Sequence, residues 1–405
     1  MQWSRVIALL ALACASCTAP APMEGHAPGP RTFPASDIAK GANLAALGNC
    51  VTCHTAPGGK PFAGGYALKT PFGTVHGTNI TPDEATGIGR WSEEDFRRAL
   101  REGLNPAGHH YYPAFPYAYF THLTDEDIHA LYAFVMTREA VHAETPANTV
   151  VVPRFAVAIW NARYLHPGPA RSDPARDASW NRGAYLADSL AHCSDCHTPR
   201  DKLGGEKSAE YLSGGDVDGW HAPALNEHSP SPVPWNVEAL ETYLATGLAD
   251  HHAISAGPMR GVVDNLGRAS HGDVHALAVY IAGMERSSPH RARGSEAADS
   301  SAQRGKQVYA GACADCHTRG RSADGGALPL EEAIALAIPT PSNLIHIVRD
   351  GIVPREDRAQ PWMPAFRGAL TDEQLVDLLA YLRTIDGVEW NDLNEQVRKA
   401  DKEPG

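Results

Sequence analysis

A chain of 405 residues is too long for one small core and suits about three domains. Its 47 Asp and Glu outweigh 35 Lys and Arg, and a net charge of −12 speaks against nucleic acid or an anionic membrane surface as a partner held by bulk charge. Beyond the N-terminus no stretch reaches the roughly 20 apolar residues that a spanning helix needs.

In chain order, Arg5 precedes the apolar run Val6 to Ala13, short for a span and suited to the hydrophobic part of a signal peptide, here residues 1–17. Cleavage after Ala11-Leu12-Ala13 would expose Cys14, so the same stretch resembles a lipoprotein signal with Cys14 lipidated. Ordinary cleavage with Cys14 and Cys17 incidental is the other reading, and both stay open. Residues 18–34, rich in Ala and Pro, read as a tether.

Three stretches of one plan follow, at 35–143, 180–286 and 302–388, joined by linkers at 144–179 and 287–301 and closed by a polar tail at 389–405. Each opens with a basic residue and glycine: Lys40-Gly41, Arg182-Gly183 and Arg304-Gly305. Helical apolar spacing then leads to Cys50-Val51-Thr52-Cys53-His54, Cys193-Ser194-Asp195-Cys196-His197 and Cys313-Ala314-Asp315-Cys316-His317. A loop region comes next, then a short amphipathic helix stopped by Gly103, Gly247 or Gly351, as a glycine C-cap requires. The last helix of each starts at Thr124, Ser270 or Thr371, with an acid or amide three residues on to close a capping box. The apolar patch Phe155 to Trp160 in the first linker is expected to pack between domains.

C-x-x-C-H is the attachment sequence of c-type haem. Positions three apart share a helix face, so both thiols reach one porphyrin edge and the next imidazole reaches the iron. Zinc or redox dithiol readings fit one copy and fit three copies badly. The chain is therefore expected to hold three covalent haem c groups on Cys50, Cys53, Cys193, Cys196, Cys313 and Cys316, with His54, His197 and His317 as axial ligands. Haem attachment of this kind implies an exported, periplasmic protein, and the six anchors leave no cysteine in the body for disulfides.

The opposite axial ligand of a class I cytochrome c domain comes from the loop before its last helix. Met363, eight residues before Thr371, and Met259, eleven before Ser270, stand there. The first stretch has no Met in its loop from Tyr111 to Leu123. His122, His109, His110, Met136 or an open iron are the options left. The run from Thr70 to Trp91 carries Asn79 and several Thr hydroxyls suited to haem propionates, or to shaping the loop alone.

These residues resemble the tri-haem cytochrome c subunits of bacterial membrane-associated periplasmic dehydrogenases. The resemblance rests on the three motifs, Thr78-Asn79-Ile80-Thr81-Pro82-Asp83, Gly87-Ile88-Gly89-Arg90-Trp91, Tyr112-Pro113-Ala114-Phe115-Pro116-Tyr117 and Cys196-His197-Thr198-Pro199-Arg200. It implies an all-α chain of three tandem class I cytochrome c domains without a substrate site of its own. Such a chain takes electrons from a catalytic subunit, of molybdenum hydroxylase, flavin or quinoprotein type, and passes them to ubiquinone or a terminal oxidase. Membrane attachment would run through lipidated Cys14 or a partner subunit. Relatives often have Met where Phe115 stands. A peroxidase-like enzyme with an open first haem and a free-standing electron shuttle are the rival readings.

Overall fold

The glycine beside each opening basic residue has a steric reason. Helices Ala35–Leu47, Ala178–Asp188 and Ser300–Ala312 cross the closing helices Asp125–Met136, His271–Ala282 and Asp372–Asp386 backbone to backbone. A Cβ at Gly41 would run into the Ala130 carbonyl, at Gly183 into that of Ala276, and at Gly305 into that of Asp377. Each of these carbonyls belongs to the sixth residue after its helix cap, Thr124, Ser270 or Thr371. The computed structural model describes residues 31–285, 300–317, 328–353, 362–386 and 388–402. The expected leader with Cys14 and Cys17, most of the tether and nearly all of the 287–301 linker lie outside the described residues.

The basic residue next to each glycine pairs with an acid on the crossed helix. Lys40 Nζ lies 2.7 Å from Asp127, Arg182 Nε 2.8 Å from Asp273, and Arg304 Nε 2.7 Å from Asp377. Asp127 and Asp273 are the third residue after their caps, where each backbone N–H also bonds the capping hydroxyl. In the third stretch that place is taken by Gln374, which closes a capping box with Thr371. The acid is then one helical turn further on, still on the crossing face.

The short helices Glu93–Glu102, Val237–Thr246 and Ser342–Asp350 end on Gly103, Gly247 and Gly351, at φ 64°, 80° and 72°. A positive φ of this kind is open to glycine at no steric cost. The chain is largely helical, but not all-α. Three antiparallel hairpins form, Ala67–Thr70 with Gly73–His76, Gly215–Val217 with Trp220–Ala222, and Leu248–Ala249 with Ala253–Ile254. Strictly helical patterning overlooked them because they lie in turn-rich loops whose strands are four residues or fewer.

The chain separates into two units. One holds the described residues up to Gly41 and Cys53–Pro169, the other Ala42–Thr52 and the described residues from Ala170 onward. In the first unit, Tyr117, Ile128, Leu131 and Phe134 are buried, and residues 139–164 belong to it. Thr149 and Val151 bond the backbone of Thr74 and Phe72, and Tyr117 Oη donates to Asn161 Oδ1 at 2.7 Å on helix Phe155–Tyr164. Val157 faces this core, whereas Val151, Phe155 and Ile159 are 84 %, 75 % and 70 % exposed. The apolar patch is thus a one-sided helix of the first unit, with Val157 turned in and Phe155 and Ile159 exposed.

In the second unit, Leu186, Leu190, Leu212 and Leu277 are buried around the second motif, and Leu336, Ile345, Leu378 and Leu379 around the third. The polar tail also folds here. Helix Leu393–Ala400 buries Leu393, Val397 and Ala400, an i, i+4, i+7 stripe, and Trp390 Nε1 donates to the Ile338 carbonyl at 3.0 Å. Buried Arg349 clasps it, donating to the Val397 carbonyl and pairing with Asp372 and Asp401.

Candidate haem-attachment sites

Each C-x-x-C-H motif follows its opening helix on a further short helical turn, Cys50–Cys53, Ser194–His197 or Ala314–His317. The imidazole that follows is aimed by its Nδ1. That of His54 donates to the Thr78 carbonyl at 2.6 Å, that of His197 to Pro223 at 2.7 Å, and that of His317 to Leu328 at 3.1 Å. A ring nitrogen committed to a carbonyl fixes the tautomer, so Nε2 is the unprotonated nitrogen that can bind iron. Burial draws the His54 and His197 imidazoles below their ordinary pKa against these carbonyl bonds, which favours the neutral, ligating form.

The cysteines fit thioether anchors better than the alternatives. All six are outside any disulfide. Burial pushes the thiols of Cys193 and Cys196 up to about 12 and that of Cys313 up to about 11. A reactive redox dithiol needs the opposite shift. Among the described residues no three His, Cys, Asp or Glu side chains converge as a metal cage would. Two thiols on one helical turn and the imidazole that follows suit the edge and centre of a macrocycle. When bound, the haem supplies a one-electron iron couple, and the protein sets its ligands and surroundings.

The same wrapping recurs around the first two motifs. The Gly64 N–H donates to the His54 carbonyl and the Gly214 N–H to that of His197, both at 2.8 Å. The Thr55 hydroxyl accepts from the Phe62 N–H and the Thr198 hydroxyl from the Leu212 N–H. The sequence offered Thr198 only as part of the resemblance and gave neither threonine this role, though a Thr directly after every motif histidine was the available signal; Thr318 lies outside the described residues. Asn79 is a loop clasp and not a propionate donor. It is 1 % exposed, its amide N–H groups donate to Thr86 Oγ1 and the Val141 carbonyl, and its Oδ1 accepts from Thr81. Asn226 likewise serves its own loop, bonding the Tyr211 carbonyl and the His228 N–H.

The distal candidates are placed unequally. Met363 is half-buried and joined to Ile352 by two backbone bonds of 2.9 and 3.0 Å. Met259, also half-buried, stands in the first turn of helix Pro258–Leu266 rather than in an open loop, with Pro258 opening the helix. In the first unit the position of a loop methionine is filled by aromatic rings. Phe115 meets Tyr111, Tyr117 and Phe120 edge-on at centroid distances of 5.6, 6.1 and 5.7 Å. The Met136 sulfur accepts from the Arg31 guanidinium at 2.6 Å, which turns it away from ligand duty. His109 is exposed, and half-buried His110 lies 3.4 Å from the Asn161 amide. His122 repeats the arrangement of the motif histidines, its Nδ1 donating to the Gly168 carbonyl at 2.6 Å.

Comparison with known proteins adds the lineage. A family model described as Cytochrome c matches residues 38–139, and one described as Cytochrome C oxidase, cbb3-type, subunit III matches residues 300–382. The chain is 42 % identical to a nicotinate dehydrogenase subunit of Pseudomonas putida over 93 % of its own length, but spans only 33 % of that protein. It is 33 % identical to the fructose dehydrogenase cytochrome subunit of Gluconobacter japonicus, covering 90 % of this chain and 81 % of the relative. Against the gluconate 2-dehydrogenase cytochrome c subunit of Pantoea cypripedii the identity is 34 %, over 85 % of each.

Proposed function

This chain belongs to the family of dehydrogenase cytochrome c subunits, and from that premise we propose that it relays electrons through three covalent haem c groups, one in each of three tandem class I cytochrome c domains at 35–143, 180–286 and 302–388. The observation that carries the count is threefold: every motif histidine holds a backbone carbonyl through Nδ1, and every opening helix crosses its closing helix at a glycine. Electrons enter from a catalytic dehydrogenase subunit and leave to a quinone or a terminal oxidase. The protein works in the periplasm, attached to the membrane face through a lipidated Cys14 or a partner subunit.

Cys50, Cys53, Cys193, Cys196, Cys313 and Cys316 anchor the groups, and His54, His197 and His317 ligate them. Met259 and Met363 complete the second and third sites. His122 completes the first, since its Nδ1 bond to Gly168 leaves Nε2 for iron, while the sulfur of Met136 is engaged by Arg31. Intact-mass and haem-per-chain measurements on the exported protein test the count. Three haem masses are expected, and two would overturn the reading.

A further inference from the structure

The second and third motif segments meet, within one unit, through the parts of the chain that carry Met259 and Met363. Three contacts build the meeting. The Asn343 side chain clamps the backbone of His221, accepting from its N–H at 2.7 Å and donating to its carbonyl at 2.9 Å. Beside it, the Trp220 and His346 rings stack at 5.0 Å between centroids and 21° between planes, with His346 only 1 % exposed. Arg260 Nη1 donates to the Val353 carbonyl at 2.8 Å, and Asp264 lies 3.6 Å from its Nε.

These contacts lead directly to the two methionines. Trp220 lies against Gly257, two residues before Met259, so closely that a Cβ there would enter the indole. Gly257, at φ 54°, permits that approach. Arg260 is the next residue after Met259. On the other side, Val353 adjoins Ile352, whose backbone pairs with Met363, and the helix bearing Asn343 and His346 ends on Gly351, packed on the Met363 backbone. A continuous path of bonded and packed groups therefore runs from the Met259 turn through the Arg260 guanidinium to the Met363 bridge, with an aromatic stack alongside. Contiguous packed and hydrogen-bonded groups are what carries coupling between two sites in a protein.

We propose that the second and third haem sites exchange electrons across this junction of their methionine-bearing segments, with Trp220, Arg260, Asn343 and His346 as its positioning residues. The proposal rests on the reading of Met259 and Met363 as axial ligands. With haem bound, the exchange would be one electron lost at one site and gained at the other, with no proton or further reactant; the chain's own part is to tie the two methionine segments together. The junction ties the two methionine-bearing segments together through packed and hydrogen-bonded side chains.

The test is flash photoreduction of the purified holoprotein, following electron equilibration between the two methionine-ligated haems. Sulfur-to-iron charge-transfer absorption and equilibrium redox titration are recorded on the same samples. Trp220→Leu and Arg260→Gln are expected to slow equilibration about tenfold, while Trp220→Phe and Arg260→Lys recover most of the rate. The charge-transfer band and both midpoint potentials stay as in the parent protein. Arg260→Gln removes one hydrogen bond and one ion pair at a partly exposed side chain, so it keeps the test alive if Trp220→Leu does not fold. An unchanged rate in Arg260→Gln with the band intact overturns the junction. Loss of the band in that variant also overturns it, making Arg260 a support of Met259 alone. Absence of the band in the parent protein refutes the ligand reading itself, a separate failure visible before any variant is made.

Discussion

The first and third motif segments differ most between the glycine that ends the short helix and the cap of the closing helix. From Gly103 to Thr124 the first is filled with rings, Phe115 ringed by Tyr111, Tyr117 and Phe120 and braced by helix Phe155–Tyr164. From Gly351 to Thr371 the third presents Met363, tied by its backbone to Ile352. On the attachment side the two are alike: glycine crossing, basic-to-acid pair and a histidine aimed by a carbonyl. Covalent attachment constrains the proximal side, because two thiols and one imidazole must meet one group. The distal side has only to supply a ligand, and that is where the surroundings tune an iron site.

Exchanging ligands is the sharpest way to break this contrast. Installing sulfur with His122→Met is expected to raise the first haem potential on the order of 0.2 V, and Met363→His to lower the third by a similar amount, within the ~0.8 V that axial ligands span. Redox titration resolved by haem reads both shifts. A first-site potential that ignores His122→Met would remove His122 from the iron.

The shared side should respond alike everywhere. Gly41→Val, Gly183→Val and Gly305→Val each drive a side chain into a carbonyl of the closing helix. The cost is about 3 kcal/mol or more, as overpacking at a backbone crossing gives at its upper end. Denaturant unfolding and the yield of haem-loaded protein measure it. Tolerance at one of the three would show that this segment is not built like the others.

The smallest effect compares two acids in one register, Glu139 and Glu285, each the fifteenth residue after its cap. Glu139 pairs with Lys60 at 3.2 Å on the surface. Burial pushes the Glu285 carboxyl up to about 7, against bonds from Ser229 and the Trp235 backbone that lower it. A carboxyl with a raised folded pKa contributes stability below its unfolded pKa and loses it as pH rises through the folded one. Stability should therefore fall by about 1–2 kcal/mol between roughly pH 4.5 and pH 7.5 and then level off. Glu285→Gln should flatten that slope in urea unfolding at several pH values, whereas Glu139→Gln should shift stability by about 0.5 kcal/mol or less.

Much of this was legible in order along the chain. The attachment motifs, the helix caps at Thr124, Ser270 and Thr371, and the glycine stops at Gly103, Gly247 and Gly351 are local patterns, since a cap or a C-x-x-C-H turn is decided by residues within one or two helical turns. The hairpins, the inward stripe of helix Leu393–Ala400 and the outward face of helix Phe155–Tyr164 were not, because short segments take their partner from elsewhere in the fold.

The sequence by itself determined the three C-x-x-C-H motifs on which the proposed haem attachment rests. Only the tertiary structure decided which distal groups remain available: it engaged Met136 with Arg31, spent Asn79 on Thr86 and Val141, and joined the helix turn that carries Met259 to the segment that carries Met363. Attachment chemistry is written in adjacent residues. A distal ligand depends on which side chains, far apart in sequence, have already been claimed by a neighbour, and folding alone makes those claims.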